Sequence, residues 1–283
     1  MKKVTEKVRL RLHMKWLLGS VLLLPLLSGC GDDAPVGAAL NLPKEFSAAE
    51  VSAIAEMQET YPGVHVRGIP VPATEGGVPT QALNLTVSGS VEFSEGFAEA
   101  LLELDAMRPV NMLAIRSDLL IDSDLEFLAE LESLQSLELH GANFSDEAMQ
   151  FIANIETLRA FTSRGCAITD AGLAKLASIP NLNTIVLVGS EVTGSGLQDF
   201  SSSEQLVSLS IVDSAFDDRG CEHVANISGL RLISLGGTKV TGRGVRKLKT
   251  LSSLQRLNVE STKVTQAAID DLKKALPKLR VIH

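Results

Sequence analysis

The sequence predicts an α/β solenoid in which short parallel strands line a concave face and helices return along the convex one. Three observations predict it. Residues 110–278 are one segment written seven times with a period of 24, and self-similarity at that spacing marks a stacked repeat. Within each segment apolar residues first recur two apart, the spacing of a half-buried strand, and later three apart, the spacing of a helix face. Between these stretches six of the seven segments carry a hydroxyl or a carboxylate, side chains that open helices by accepting from free N–H groups.

The units begin at Val110, Leu134, Leu158, Leu182, Leu206, Leu230 and Leu254. Position four holds Leu113, Leu137, Phe161, Ile185, Leu209, Ile233 and Leu257, and position six Ile115, Leu139, Ser163, Leu187, Ile211, Leu235 and Val259. Position eleven returns Leu120, Phe144, Ile168, Val192, Phe216, Val240 and Val264. Helical spacing follows, with Leu125, Met149, Leu173, Leu197, Cys221, Val245 and Ile269, then Leu128, Ile152, Leu176, Phe200, Val224, Leu248 and Leu272. Position twelve offers Ser145, Thr169, Thr193, Asp217, Thr241 and Thr265 as helix caps, and only Ile121 breaks the column. Gly172, Gly196, Gly220 and Gly244, with Ala148 and Ala268, keep the first helical turn slim against its neighbour.

This pattern resembles the leucine-rich repeat, within it the ribonuclease-inhibitor-like subtype, and the run Cys166 to Leu173 with Leu176 resembles the cysteine-containing repeats of F-box proteins. The resemblance implies a right-handed horseshoe with a parallel concave sheet and convex helices. For function it implies a binding module without naming a ligand, since the fold hosts many unrelated roles. The period of 24 is slightly short for the subtype, and position nine varies through Asp118, Ala142, Cys166, Ser190, Ser214, Thr238 and Thr262.

One unit cannot bury enough apolar surface to offset the ordering of its own backbone, so the units must stack and the terminal ones need covers. Strands sit about 4.8 Å apart and helices about 8–10 Å, so the stack bends with its strands inside.

Of 283 residues 45% are hydrophobic, with a net charge of −8 and three cysteines. Lys2, Lys3, Lys7, Arg9, Arg11 and Lys15 precede an apolar run from Leu17 to Leu27, and Leu27-Ser28-Gly29-Cys30 closes it. A basic head, an apolar core and small residues form a secretory signal over 1–29, and the closing four residues resemble the lipobox of bacterial lipoproteins, which implies lipidation of Cys30. An ordinary signal peptide or an uncleaved anchor is the alternative, and translation can begin at Met1 or at Met14. Residues 30–45 read as a tether whose flexible part, 15 residues from Gly31, has a root-mean-square span of about 20–23 Å.

Residues 46–109 read as an N-terminal cap with one or two degenerate repeats. Ser47-Ala-Ala-Glu50 is a capping box, with Val51, Ile54 and Met57 on one helix face, Val64 to Ile69 as a strand, Pro70 to Thr80 as a loop, and Leu83, Leu85, Phe97, Leu101 and Leu104 as a stretched repeat. A separate small domain is the alternative. Residues 279–283 begin a final strand. Cys166 and Cys221 lie two units apart in different columns, beyond the roughly 7 Å that a disulfide allows, and read as small core residues.

Strand positions three, five and seven face solvent. They bring Arg116, His140 and Arg164 together beside Glu138, and next to them Val186, Val188 and Val212. A cationic patch beside an apolar one suits a carboxylate flanked by greasy groups; ordinary sheet-face charge pairing is the alternative. Aromatic anchors are scarce, since the chain beyond the signal holds only Tyr61 and no Trp. Catalysis is not expected: His140 is the only histidine on this face, and Ser136 with Glu138 lack a triad's third member and an oxyanion site. Gly237 to Gly242 has phosphate-loop spacing but ends in Arg243-Gly244. No cofactor, metal or nucleic acid is expected, and the chain is expected to be monomeric.

Charge is uneven. Residues 230–283 hold 12 Lys+Arg against 3 Asp+Glu, whereas residues 31–229 hold 8 against 30. Arg243, Arg246, Lys247, Lys249, Lys273 and Lys274 fall on the convex side of the last two units, as a docking patch for an anionic partner or as a solvated face. Together these features predict a lipid-anchored, extracytoplasmic protein of the cell membrane or outer membrane, with a non-catalytic repeat domain that binds a protein or envelope ligand. The alternative is an intracellular F-box-like adaptor or effector of a ubiquitin-type machine.

Overall fold

The computed structural model describes residues 46–71, 80–89, 91, 93–141 and 144–283. The signal, Cys30 and the tether lie outside these residues, as does most of the loop read between Pro70 and Thr80. No helix among the described residues is long and apolar enough to cross a membrane.

Helix α1 (Ala48–Thr60) starts at Ser47, whose hydroxyl accepts from Glu50 N–H while the Glu50 carboxylate accepts from Ser47 N–H, the reciprocal box that the sequence spells. Strands β1 (Val64–Val71) and β2 (Thr80–Ser88) follow, then α2 (Glu95–Met107), capped by Ser94. Each later unit opens with a strand: β3 (Val110–Arg116), β4 (Ser136–His140), β5 (Ala160–Arg164), β6 (Thr184–Val188), β7 (Ser208–Val212), β8 (Leu232–Ser234) and β9 (Arg256–Asn258), and β10 (Arg280–Ile282) ends the series.

All ten strands form one sheet in chain order. Its register shows why the period is 24: each strand is displaced from the last by one whole unit, so Leu113, Leu137, Phe161, Ile185, Leu209, Ile233 and Leu257 stand side by side, all buried. Equivalent residues stack into rows, and the rows are the core.

The repeat strands are parallel, as expected, and the cap strand is the exception. β1 runs antiparallel to β2, Val64 opposite Val87 and Val71 opposite Thr80. The reason is connection length. Only residues 72–79 join the two strands, fewer than the dozen or so that a parallel crossover needs. Val64 and Val66 still face the core, and α1 covers them with Ile54 and Met57. Edge-on rings lock this cover to the first repeat: Phe97 meets Tyr61 at 5.2 Å, Phe93 at 5.3 Å and Phe127 at 6.3 Å between centroids. Arg108 adds a bond of 2.7 Å to Glu50 and lies 4.2 Å from the centre of the Phe46 ring.

The convex side departs from expectation in two units. Short helices α3 (Ala148–Ile152), α4 (Asp170–Lys175), α5 (Asp218–Val224), α6 (Gly242–Val245) and α7 (Gln266–Ala275) return as predicted, whereas units one and four return through 3-10 turns at Asp122–Glu130 and Ser195–Phe200. In unit one Ile121 has no side-chain acceptor for the opening N–H groups, and the Asp-Ser-Asp run that follows forms helix poorly. In unit four the cap position falls to Gly194, at φ +106°.

Position thirteen holds the units together along the turn edge. Its aspartate reaches forward to the capping residue of the next unit: Asp122 accepts from Ser145 N–H at 2.7 Å and Oγ at 2.9 Å, Asp146 from Thr169 N–H at 2.8 Å, and Asp218 from Thr241 N–H and Oγ1, both at 2.7 Å. Asp170 takes four donors, Thr193 N–H and Oγ1, Gly194 N–H and Gly196 N–H. The glycines that the sequence places at position fifteen make room for this contact, because a Cβ on Gly172 would strike Asp146 Oδ1 and one on Gly244 would strike Asp218 Oδ1. The aspartate is confined to units one, two, three and five, since units four, six and seven carry Gly194, Gly242 and Gln266 there. A Cβ at Gly194 would stand 2.5 Å from Gly220 Cα, so no aspartate fits, and unit five answers with Asp217, whose own carboxylate accepts from Arg219 and Gly220 N–H.

Candidate functional site

The solvent-facing rows of the concave sheet run across strands, so residues far apart in sequence become neighbours. Ser88, Arg116, His140, Arg164, Val188 and Val212 form one row, and Thr86, Ala114, Glu138, Thr162 and Val186 the next. All seven residues singled out from the sequence therefore share two adjacent rows on β3 to β7.

Arg116 and Arg164 are exposed and flank the half-buried His140. Neither arginine forms an ion pair with a described carboxylate. Glu138, the nearest acid in the strand, keeps its Oε2 at 3.8 Å from His140 Nε2, too far for a hydrogen bond. His140 Nε2 is buried and has no hydrogen-bond partner among the described residues. Burial holds the imidazole below its ordinary pKa, the two guanidiniums press it further down, and Glu138 opposes them only in part. The imidazole is therefore neutral at pH 7, between two fixed cations.

A cavity of about 470 Å³ opens at the strand ends, lined by Arg116, Ser117, Asp118, Leu119 and His140 with Gly89 and Gly141, so one carboxylate stands beside the cation there. The three valines are half-buried and continue the arginine rows toward the C-terminus. Such a face can hold a carboxylate between two guanidiniums and an aliphatic group beside it.

Three polar residues of this face, His65, Arg67 and Asn84, were missed in sequence, so His140 is not its only histidine. The antiparallel register of β1 places Arg67 opposite Asn84 and His65 opposite Thr86, and alternation with buried Val64 and Val66 turns both outward. That alternation was the available signal, but the polarity of β1 was not readable. Asn84 Oδ1, beside Arg67, is a second buried acceptor without a partner among the described residues. Leu119 on the turn was also passed over.

The thiols lie elsewhere. Cys166 donates to Gly141 and Arg164 carbonyls at 2.8 and 3.2 Å, so it ties one turn to the previous one rather than merely filling space, and burial raises its pKa. Cys221 is fully buried, which pushes its thiol up to about 12, with Asp218 and Asp217 adding to the effect. Both are free cysteines. On the convex side Arg243, Arg246, Lys247 and Lys249 border a groove with Glu222; Lys247 pairs with Glu222 at 3.1 Å and Arg246 with Asp271 at 3.5 Å.

No protein-family model matches this chain, and no curated protein does. Among solved structures it is similar to an internalin (inlF) of Listeria monocytogenes at 16% identity, covering 65% of this chain and 56% of that one with a TM-score of 0.47. An internalin C2 of the same species is 18% identical, with 70% and 80% covered and a TM-score of 0.49. A Bacteroides fragilis protein is 17% identical, with 69% and 64% covered and a TM-score of 0.49. The chain thus spans little more than half of the first internalin, and these likenesses concern fold alone. With a strand, a turn and a return in every 24 residues, and equivalent apolar residues in register across the sheet, the chain is a leucine-rich-repeat solenoid.

Proposed function

We propose that this chain is a lipid-anchored, extracytoplasmic binding module of a bacterial envelope, which captures an acidic partner protein on the concave face and performs no chemistry on it. The observation that carries the reading is the pair of exposed guanidiniums of Arg116 and Arg164 across His140, without an ion pair among the described residues, with the valine rows beside them. Unpaired cations on a rigid sheet favour encounter with carboxylates and set their register.

The anchor rests on Leu27-Ser28-Gly29-Cys30 and the basic, apolar run before it. The finer subtype, ribonuclease-inhibitor-like with cysteine-containing repeats, is supported by Cys166, whose thiol bonds main-chain carbonyls of two successive turns. Against the intracellular adaptor stands the use made of residues 46–107: α1, β1 and α2 cover the first repeat with buried Ile54, Met57, Phe97 and Leu101 rather than forming a helical module of their own.

One experiment addresses both halves. Cells expressing the chain are fed a fatty-acid analogue, and the protein is used to capture partners from its native envelope. Label is expected on the unaltered protein and not on Cys30→Ala, and capture is expected to disappear in Arg116→Glu/Arg164→Glu. A soluble, unlabelled protein would remove the anchor, and undiminished capture by the double variant would move the binding face elsewhere.

A further inference from the structure

Unit one departs from a rule that the other six keep, and all its departures fall on one edge. Position eight, just after the strand, is left-handed at Gly141, Gly165, Gly189 and Gly237 and also at Asp213 and Ser261, whereas Ser117 has an ordinary negative φ. Position ten is small or polar in every other unit and is Leu119 here; position twelve carries a hydroxyl or a carboxylate in every other unit and is Ile121 here. Leu119 is 55% exposed and Ile121 50%. The Ile121 side chain accepts nothing from the turn it opens; its carbonyl accepts from Asp124 N–H at 3.1 Å, and its own N–H is taken by Asp124 Oδ2 at 3.0 Å. A chain that gives up a cap and shows water two aliphatic side chains in one place breaks local consistency where something other than folding uses them.

Leu119 is a shared wall. On one side it closes the cavity that Arg116 and His140 line; on the other it meets Val91, Phe93 and Ser94 around a second cavity of about 300 Å³. Apolar surface therefore flanks the cations at both ends: Leu119 and Phe93 before them, Val188 and Val212 after them. From the strand of unit one to that of unit five is four steps, about 19 Å at roughly 4.8 Å each, which an extended chain spans in about six residues. A helix of that many residues is about 9 Å long and cannot bridge the two ends.

We infer that the broken edge of unit one is the first anchor of a cleft for an extended, acidic segment of a partner protein. The segment seats one aliphatic or aromatic side chain on Leu119 and Phe93, lays one or two carboxylates over Arg116 and Arg164, and seats a second apolar side chain on Val188 and Val212. The inference rests on the concave face being the binding surface and adds what binds there and where it begins.

The test is fluorescence anisotropy with the full-length chain in detergent and a panel of capped, labelled octapeptides. One carries leucines six residues apart with two aspartates between them, one has lysines for the aspartates, and one has serine for the first leucine. The two-ended acidic peptide is expected to bind at least about tenfold more tightly than either control. Leu119→Asn/Ile121→Thr is expected to reduce it to the level of the one-ended peptide while raising the thermal midpoint, because threonine restores the cap. That opposite movement separates lost recognition from lost folding. If this variant binds the two-ended peptide as tightly as the unaltered chain, or if no peptide prefers the acidic centre, the inference is wrong. Loss with Arg116→Glu/Arg164→Glu but not with the edge variant would leave the concave face standing and overturn the anchor alone.

Discussion

His140 is where the electrostatics of the face are concentrated. Burial and the guanidiniums of Arg116 and Arg164 depress its pKa, so the folded state prefers the neutral ring. The sign follows from linkage: the associated stability is complete above the ordinary histidine pKa and is lost as pH falls through the depressed folded value. Histidine NMR titration should place the His140 midpoint below the ordinary histidine pKa, and Arg116→Ala should raise it. No movement on removing the arginine would mean that the row does not act as a unit. The sequence shows these residues as position seven of successive units, and that much was legible from periodicity alone. What it could not show is that Nε2 lacks a partner, because the 3.8 Å to Glu138 depends on rotamers and not on spacing. Arg67 was hidden for a different reason: its row depends on the direction of β1, and direction is not written in alternation.

Between residue and fold lies the carboxylate contact from one turn to the next. Burial raises the pKa of Asp170, but hydrogen bonds from Thr193, Gly196 and Gly194 outweigh it and leave the carboxyl below its ordinary value. The stability tied to it is present above the unfolded pKa and lost as pH falls through the lowered folded one. Asp170→Ala strands donors that the turn cannot satisfy otherwise, and should lower stability by about 1–3 kcal/mol in urea unfolding at pH 7. At a pH below the folded pKa the gap between variant and parent should close; an equal gap at both would assign the loss to packing. The hydroxyls of position twelve and the glycines of position fifteen were readable, each as a local helix signal. Their dependence on the aspartate of the preceding unit was not, since the two partners lie about 23 residues apart and nothing local couples them.

At the scale of the molecule, stability is carried by contacts between adjacent units, and the aspartate series states which neighbours are compatible. Removing residues 158–181 brings Asp146 to Thr193, the same pairing as before. Removing residues 182–205 instead brings Asp170 to Asp217, two carboxylates where one acceptor and one donor are needed. Both chains lose one unit of equal length, yet the second is expected to unfold at lower urea, by about 1–3 kcal/mol relative to the first. Equal midpoints would show that the turn edge contributes nothing to the choice of neighbour. The solenoid itself was legible because its period repeats seven times; the two 3-10 returns were not, because Gly194 and Ile121 each look like a single tolerable exception until the neighbouring unit is seen.

The reversed first strand carries a last consequence. A protein built of like slices is liable to concatenate, one molecule's last slice serving as the platform for another's first, until a filament forms. Here an arriving β10 would meet β1 travelling against the common direction, with α1 seated behind it. A slice arriving there would not repeat the parallel pairing that joins β9 to β10, so this seat differs in polarity from every seat between units.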